Sequence, residues 1–308
     1  MGSEFSVLIE QIEILATLIV IGLCWQKARL FNDELINSLS AIIAKLILPL
    51  MLCTIIGSAP RDSISDGIRF FIAAAVIYSF TVLIAILCKR FLKIPEPNRS
   101  MFVLLQCYGN SGFIGIPLIT SIFPQEAGIA SAAYLLIDSS FYWVLGPYIA
   151  GSGKLSFKKM ISPLTIAILT GFLIMLSGID LSGNIVWTTA KNVGGTCKYF
   201  ASIYIGMAIG RMDLKKLKAN LVSVIAAPVR LILIPLFAYF LLGKTGFLSG
   251  NQLTMFIILS ATPAGMSLPI IAELANVDSG DFASVGVTLS TILCLATLPL
   301  IVWLISVI

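Results

Sequence analysis

The 308-residue sequence contains no histidine, and only 11% of its residues are charged. Without histidine the chain cannot form a Ser-His dyad, an HExxH zinc site or an imidazole haem ligand. Its six cysteines lie within or beside apolar stretches, so they indicate neither a disulfide framework nor a metal cluster. The scarcity of charge also argues against a soluble globular domain, in which about 25% of residues are charged. We therefore expect no enzyme activity, no cofactor and no bound metal.

What the sequence has in abundance is apolar residues, which make up 58% of the chain. A helix needs about 20 predominantly apolar residues to cross a bilayer. Ten segments meet this requirement, and they predict an all-α polytopic membrane protein with ten transmembrane helices. The predicted segments are 8–25, 34–56, 68–88, 100–123, 127–150, 161–178, 187–210, 219–242, 252–275 and 282–307.

Lysine and arginine are distributed unevenly between the loops that join these segments. Counted over the loops and the ends of the predicted spans, one side of the membrane carries 13 of them and the other side carries four. Because positively charged loops stay in the cytoplasm, both termini are predicted to be extracytoplasmic. This bias explains the basic loops without a nucleic-acid partner, and the expected surroundings are the lipid bilayer.

The sequence repeats itself weakly at about half its length. Pro117 aligns with Pro269 at an offset of 152 residues. Gly22 aligns with Gly171 at an offset of 149 residues. Each half contains five predicted spans, so the second half must be inverted in the membrane relative to the first, as in many secondary transporters. The predicted organisation is a first five-helix repeat at 1–150, a short cytoplasmic linker at 151–160 and a second, inverted repeat at 161–308.

Predicted segments four and nine are interrupted by glycine and proline at corresponding positions. In a helix, glycine costs about 1 kcal/mol and proline about 3 kcal/mol relative to alanine. Such breaks either permit close helix packing or form a transport site, where freed backbone groups face protein or a water-filled cavity. The candidate substrate-binding residues are Gly109, Asn110, Ser111, Gly112, Pro117, Thr262, Pro263, Ala264, Gly265, Met266, Ser267 and Pro269.

Four ionisable residues, Lys45, Asp138, Lys198 and Arg230, lie deep within predicted spans. Each costs at least about 2.5–3.5 kcal/mol at the centre of a membrane helix. Asp138 is the only acid, which makes it the candidate coupling group unless it pairs permanently with one of the cations. The two lysines supply positive field for an anion, cap the ends of broken helices or extend to the headgroups, and Arg230 is interpreted as mainly structural. Their net charge of +2 favours an anionic substrate.

Several of these motifs resemble the auxin efflux carrier family. They are the stretch at 22–40, Leu48-Pro49, GNSGFIGIPL at 109–118, RLILIP at 230–235 and TPAGMSLPIIAELANVD at 262–278. The resemblance implies two inverted five-helix repeats in which helices 4 and 9 are broken and cross, a fold like that of sodium/proton antiporters and bile-acid symporters. Helices 1, 2, 6 and 7 would form a scaffold, and helices 3–5 and 8–10 a moving transport domain.

The same resemblance implies a function and roles for some residues. The family transports small organic anions, such as auxin in plants and malate or malonate in bacteria. By motif position, Asn110 corresponds to a substrate-contacting asparagine, and Pro117 and Pro263 correspond to crossing prolines. The chain departs from the plant carriers at Thr262, where they have a second asparagine, and Tyr199 stands where the family usually has proline. The short connection between helices 5 and 6 favours a prokaryotic member.

We therefore expect a homodimeric carrier of a small organic anion in the cell (inner) membrane of a prokaryote. It would work by elevator-type alternating access, with a proton or a sodium ion as the coupling ion. The alternatives are a sodium-coupled carrier similar to the bile-acid symporters and an anion channel. Saturable countertransport distinguishes a carrier from a channel, because a channel shows no acceleration by substrate on the opposite side.

Overall fold

The computed structural model describes residues 2–152, 161–213, 215–216, 220–274 and 278–307. Regular structure in these ranges is helical, and the single β-type feature there is an isolated bridge between two residues. The predicted all-α class is therefore confirmed for the described chain. Residues 153–160 of the predicted linker, Met1 and Ile308 lie outside the described residues.

The helices are numbered here in chain order. Turns of π-helix occur within α2, α5, α6 and α10. The bounds are α1 Gly2–Lys27, α2 Asp33–Gly57, α3 Ile64–Phe91, α4 Arg99–Cys107, α5 Ser111–Ile122, α6 Ala127–Ala150, α7 Pro163–Ser177, α8 Ile185–Gly195, α9 Cys197–Gly210, α10 Ser223–Gly243, α11 Gly250–Ser260, α12 Leu268–Leu274 and α13 Gly280–Val307.

Six of the described helices are long and apolar enough to cross a membrane, namely α1, α2, α3, α6, α10 and α13. Predicted segments four, seven and nine are each divided between two shorter helices, and segment six corresponds to the 15-residue α7. A polytopic membrane protein is consistent with this architecture. The count of ten spans stays a prediction. The predicted segments follow apolar runs in the sequence, and some of these runs continue across positions where the helix is interrupted.

Side chains define where the shorter helices begin. Ser162 precedes Pro163 and accepts a hydrogen bond from the Thr165 backbone N–H at 3.2 Å. Asn184 likewise accepts from the backbone N–H of Trp187 at 3.1 Å at the start of α8. Each cap satisfies an N–H group that has no partner within its own helix. α7 and α8 are therefore separate helices by local chemistry.

The chain divides into two compact units that are discontinuous in sequence. Unit 1 comprises the ranges 1–68, 112–133 and 161–211, and it contains α1, α2, α7, α8 and α9. Unit 2 comprises the ranges 69–111, 134–160 and 212–308, and it contains α4 and α10 to α13.

Two close helix contacts hold unit 1 together. α1 packs on α9, and α2 packs on α7. Gly22 lies so close to α9 that a Cβ atom there would overlap the backbone oxygen of Ile203. A Cβ atom on Gly171 would lie 2.9 Å from the backbone oxygen of Cys53. Glycine therefore permits backbone contact at both helix pairs, as small residues do between membrane helices.

The core of unit 2 surrounds the short helix α4. The side chains of its last seven residues, 101–107, are all buried. Phe102 and Leu105 belong to the same apolar cluster as Leu268 of α12 and Phe282 of α13. This packing fixes the carbonyl end of α4 in the interior, where the chain leaves the helix at Tyr108.

Candidate functional site

Two non-helical segments pair with each other inside unit 2. The Asn110 backbone N–H donates to the carbonyl of Pro263 at 2.7 Å, and the Gly265 N–H donates to the carbonyl of Tyr108 at 2.9 Å. These bonds form an antiparallel bridge between Gly109 and Ala264. Each segment thereby satisfies backbone groups that the other leaves free, which irregular backbone at membrane depth requires. We call residues 108–111 and 261–267 together the paired break.

Arg230 of α10 lies directly behind the paired break and is only 3% exposed. Its guanidinium donates to the carbonyl of Gln106 at 2.5 Å and to the carbonyl of Thr262 at 3.0 Å. These carbonyls lie at and just beyond the ends of α4 and α11, where each helix dipole places partial negative charge. The arginine therefore neutralises two helix ends at once. A Cβ atom on Gly109 would overlap the guanidinium, so any larger residue there would have to displace the Arg230 side chain.

Asn110 provides the one side-chain amide within the paired break. It is 6% exposed, and its Nδ2 has no hydrogen-bond partner within the described residues. Leaving such a donor unsatisfied in the interior costs about 1–3 kcal/mol. The amide is therefore a donor available to an acceptor group on a ligand.

Asp138 of α6 is connected to the paired break through Ser111. The hydroxyl of Ser111 donates to one carboxyl oxygen of Asp138 at 3.3 Å, and the hydroxyl of Tyr78 on α3 donates to the other. Across the described part of the chain, Asp138 forms no ion pair with Lys45, Lys198 or Arg230. A carboxyl group held by two neutral hydroxyls can gain or lose a proton without breaking a salt bridge.

Side chains from two further helices hold the segment 261–267 of the paired break. The hydroxyl of Ser290 on α13 accepts from the Ala264 backbone N–H at 3.1 Å. The hydroxyl of Tyr142 on α6 donates to the carbonyl of Ser267 at 3.1 Å. Both bonds satisfy backbone groups of residues whose helix has ended, so they hold the unwound segment in one conformation.

Other predicted site residues lie in unit 1. Gly112 and Pro117 are part of α5, and Pro117 follows its π-helical turn in the first turn of α-helix. Proline is tolerated within membrane helices where a local π-helical adjustment re-satisfies the backbone groups that it frees. The interruption of predicted segment four is thus at Tyr108 to Asn110, not at Pro117. Pro269 likewise lies in the first turn of α12, in unit 2.

The two lysines of unit 1 differ in their surroundings. Lys198 is half-buried and donates to the side-chain oxygen of Gln11 at 3.2 Å and to the hydroxyl of Ser121 at 3.5 Å. Its ammonium also lies 5.1 Å from the centre of the Tyr199 ring. Lys45 is exposed on the π-helical turn of α2 and contacts no partner among the described residues.

The sequence profile of the membrane transport protein family matches residues 7–150 and matches again over residues 149–302. The chain belongs to this family. This family is the auxin efflux carrier family, which the sequence motifs resemble. The predicted family membership is therefore confirmed. An uncharacterised transporter of Methanothermobacter thermautotrophicus is 23% identical over 288 residues, covering 92% of this chain and 93% of the relative. The protein is accordingly an integral membrane transporter, as its composition predicts.

Sequence reasoning missed several residues around the paired break of this membrane transport protein. Tyr78 and Ser290 lie in long apolar helices where hydroxyl side chains are common, so no sequence signal singles them out. Gln106 is different, because an amide in an otherwise apolar helix three residues before Gly109 was a usable signal. Its Oε1 is a second buried polar atom without a partner in the described structure.

Proposed function

We propose that this membrane transport protein is a secondary active carrier of a small organic anion, with the paired break as its substrate site and Asp138 as its coupling group. The observation that carries the proposal is the unsatisfied amide of buried Asn110, next in the chain to Ser111, which donates to Asp138. The proposed substrate-binding residue Asn110 is therefore adjacent in the chain to Ser111, which contacts the proposed proton-binding residue Asp138.

The charges at the paired break support an anionic substrate. The Asn110 amide offers hydrogen-bond donors to an acceptor such as a carboxylate oxygen. Arg230 donates three of its five N–H groups to Gln106 and Thr262 and contributes positive field beside the paired break. Carboxylates such as auxin, malate or malonate combine both properties, since they are anionic and accept hydrogen bonds.

Coupling to protons is favoured over coupling to sodium by the groups around Asp138. Both Tyr78 and Ser111 use their hydroxyl hydrogens to donate to the carboxyl group. A single carboxyl group suffices to bind a proton, whereas a sodium ion requires several oxygen ligands. The sodium-coupled carrier is the second candidate, and replacing the ion in the assay distinguishes the two.

Reciprocal helix contacts in unit 1 support the inverted-repeat architecture. Gly22 of predicted segment one packs on Ile203 of segment seven, and Gly171 of segment six packs on Cys53 of segment two. Gly22 and Gly171 correspond at an offset of 149 residues, and Cys53 and Ile203 at an offset of 150. Exchanging the repeats 1–150 and 161–308 therefore converts one contact into the other. We include ten spans with helices 4 and 9 crossing in the proposal.

The composition of the two units supports an elevator-type mechanism. Unit 1 contains the predicted scaffold helices one, two, six and seven, and unit 2 contains helices eight to ten and most of helix three. The range 112–133 is the exception, since it belongs to unit 1 although the transport domain was predicted to include it. A homodimer in a prokaryotic inner membrane, with both termini extracytoplasmic, completes the proposal.

Countertransport in proteoliposomes tests the carrier directly. Vesicles loaded with unlabelled malonate take up external labelled malonate, with malate and indole-3-acetate as competitors. A carrier is accelerated by the internal anion. Asn110→Ala should lower the rate at least about tenfold, because losing a buried polar contact costs roughly 1–3 kcal/mol.

Ser131→Ala is the matched control for this experiment. Ser131 is also buried, lies in unit 1 and has a hydroxyl without a partner among the described residues. This variant should retain the full rate. If none of the three anions accelerates uptake from inside the vesicle, a carrier of such carboxylates is refuted. If well-folded Asn110→Ala takes up substrate at the normal rate, the substrate site lies elsewhere.

A further inference from the structure

A cavity of about 360 Å³ lies wholly within unit 1, between α2, α5, α8 and α9. Its volume falls in the range of about 300–1,000 Å³ that is usual for small-molecule sites. The paired break contributes no residue to it. The polar residues of its lining are Thr54, Thr120, Ser121, Lys191, Asn192 and Lys198.

The lining contains two lysines and no acid among the described residues. Among the described residues, Lys198 donates to the neutral oxygens of Gln11 and Ser121, at 3.2 Å and 3.5 Å. Lys191 forms no ion pair in the described structure. Two positive charges thus share one cavity, and the described part of its lining supplies no acid to balance them.

The hydroxyl groups of the lining do not change this balance. Thr54, Thr120 and Ser121 each donate to a backbone carbonyl of their own helix, at 2.7–3.0 Å. They therefore leave the cavity lined by the ammonium groups of the lysines and by the Asn192 amide as hydrogen-bond donors. This donor set suits an acceptor-rich anion and offers little to a cation.

A second cavity of about 810 Å³ is adjacent to the first, since Lys191 and Asn192 line both. It is lined further by Arg61, which donates to the carbonyl of Met175 at 3.2 Å, and by Asp180. The lining of the second cavity thus carries two positive side chains, Arg61 and Lys191, and one negative side chain, Asp180.

We propose that Lys191 and Lys198 form a binding site for a carboxylate anion, separate from the paired break, with charge for two carboxylate groups. Lys191 of α8 and Lys198 of α9 lie on either side of the boundary between these helices at Thr196, and both line the same cavity. Their long side chains can approach one small dicarboxylate between them. This proposal does not depend on transport, because it requires only that the cavity binds the anion.

Malonate binding to the purified full-length protein, measured by isothermal titration calorimetry, tests the proposal. The protein carries Asn110→Ala, which removes the proposed substrate contact at the paired break. Malonate should bind more tightly than acetate at equal ionic strength. Lys198→Gln and Lys191→Gln should each weaken malonate binding at least about tenfold, since hydrogen bonds to charged groups are among the strong ones. Lys198→Arg should retain binding, because it keeps the charge.

Lys244→Gln is the matched control, since this lysine lies after α10 and lines neither cavity. Binding should be unchanged in that variant. Equal malonate affinity in the Lys191→Gln/Lys198→Gln double variant and its parent overturns the proposal, and so does equal weakening by Lys244→Gln. A monodisperse elution profile and an unchanged thermal unfolding midpoint exclude misfolding as the cause.

Anionic lipid is the competing source of negative charge. Nanodiscs containing phosphatidylglycerol are compared with nanodiscs of phosphatidylcholine alone. Malonate binding that is equal in both supports the proposed site, whereas lysine-dependent phosphatidylglycerol binding without malonate binding replaces it with a lipid site. If the parent protein shows no countertransport but the Asn110→Ala background binds malonate through the lysines, the carrier is refuted and this site stands. If the parent shows countertransport but the Asn110→Ala background does not bind malonate, only this site is refuted.

Discussion

At the residue scale, Asp138 is distinguished by the hydroxyl groups that hold it. A buried carboxylate paired with a cation leaves an uncompensated charge when it is removed, at a cost of about 3–5 kcal/mol. Asp138 accepts hydrogen bonds from Tyr78 and Ser111 instead, and the described residues supply it with no salt bridge. Loss of its charge should therefore affect coupling more than folding.

Asp138→Asn preserves the shape of the side chain and removes the titratable group. We expect this variant to retain malonate countertransport within a few-fold and to lose accumulation driven by a pH gradient. Its thermal unfolding midpoint should stay close to that of the parent, because no cation is left unpaired. Tyr78→Phe removes one donor and should shift the pH dependence of uptake while countertransport at saturating substrate is preserved. Uptake is measured in proteoliposomes with imposed proton or sodium gradients.

Asp62→Asn is the control for this pair of variants, because Asp62 is an exposed acid in the turn that precedes α3. It should behave like the parent in every assay. Full gradient-driven accumulation by well-folded Asp138→Asn removes the coupling role. Loss of folding that is restored by neutralising Arg230 reveals an ion pair in place of the hydroxyl contacts.

Residues of the candidate site were predictable to different degrees. Asn110 and Asp138 are conspicuous in the sequence because polar and charged side chains are rare in membrane spans. Their connection through Ser111 was not, since it depends on how α6 packs beside the paired break. Capping of broken helix ends was one role considered for the two lysines. In the structure Arg230 caps such ends, because it donates to the carbonyls of both Gln106 and Thr262.

At the scale of helices, the contacts of α1 with α9 and of α2 with α7 depend on glycine. Gly22→Ala places a methyl group on the Ile203 carbonyl, and Gly171→Ala places one 2.9 Å from the Cys53 carbonyl. Backbone atoms cannot rotate away, so each variant must separate two helices, and overpacking of this kind typically costs about 1–3 kcal/mol. Both variants should lower the thermal unfolding midpoint in detergent, and Gly22→Ala should do so more.

Gly195→Ala gives the matched comparison within the same unit. A Cβ atom at Gly195 meets nothing within 4 Å, and alanine is favoured over glycine in a helix by about 1 kcal/mol. This variant should be as stable as the parent or more stable. If Gly22→Ala and Gly171→Ala also stabilise the protein, helix propensity outweighs packing, and the close contacts are not important for stability.

Helix boundaries show what sequence patterns could not determine. Proline and glycine in 109–117 and 262–269 correctly indicated two interruptions. The pattern placed weight on Pro117, whereas the chain leaves the helix at Tyr108 and resumes before that proline. The position of a break depends on which backbone groups find partners, and here Pro263 and Gly265 provide them. Such pairing between distant segments is not encoded in local propensity.

At the scale of the whole molecule, the predicted repeats and the compact units are different divisions of the chain. The repeats 1–150 and 161–308 follow the order of the sequence. The units combine three ranges each, because residues distant in sequence pack together. Composition therefore suffices for the all-helical membrane class, the repeats stay a prediction, and the compact units emerge only from long-range contacts.

The orientation of the whole chain in the membrane gives the last prediction. Thirteen basic residues on one side against four on the other place the connection between α7 and α8 outside the cell and that between α3 and α4 inside. In a variant without the six native cysteines, Ser182→Cys should react with an impermeant maleimide in intact cells. Glu96→Cys should react only after permeabilisation, and both positions are exposed. The opposite pattern reverses the topology, while labelling of both from outside contradicts the odd number of spans predicted between them and, with it, the inversion of the repeats.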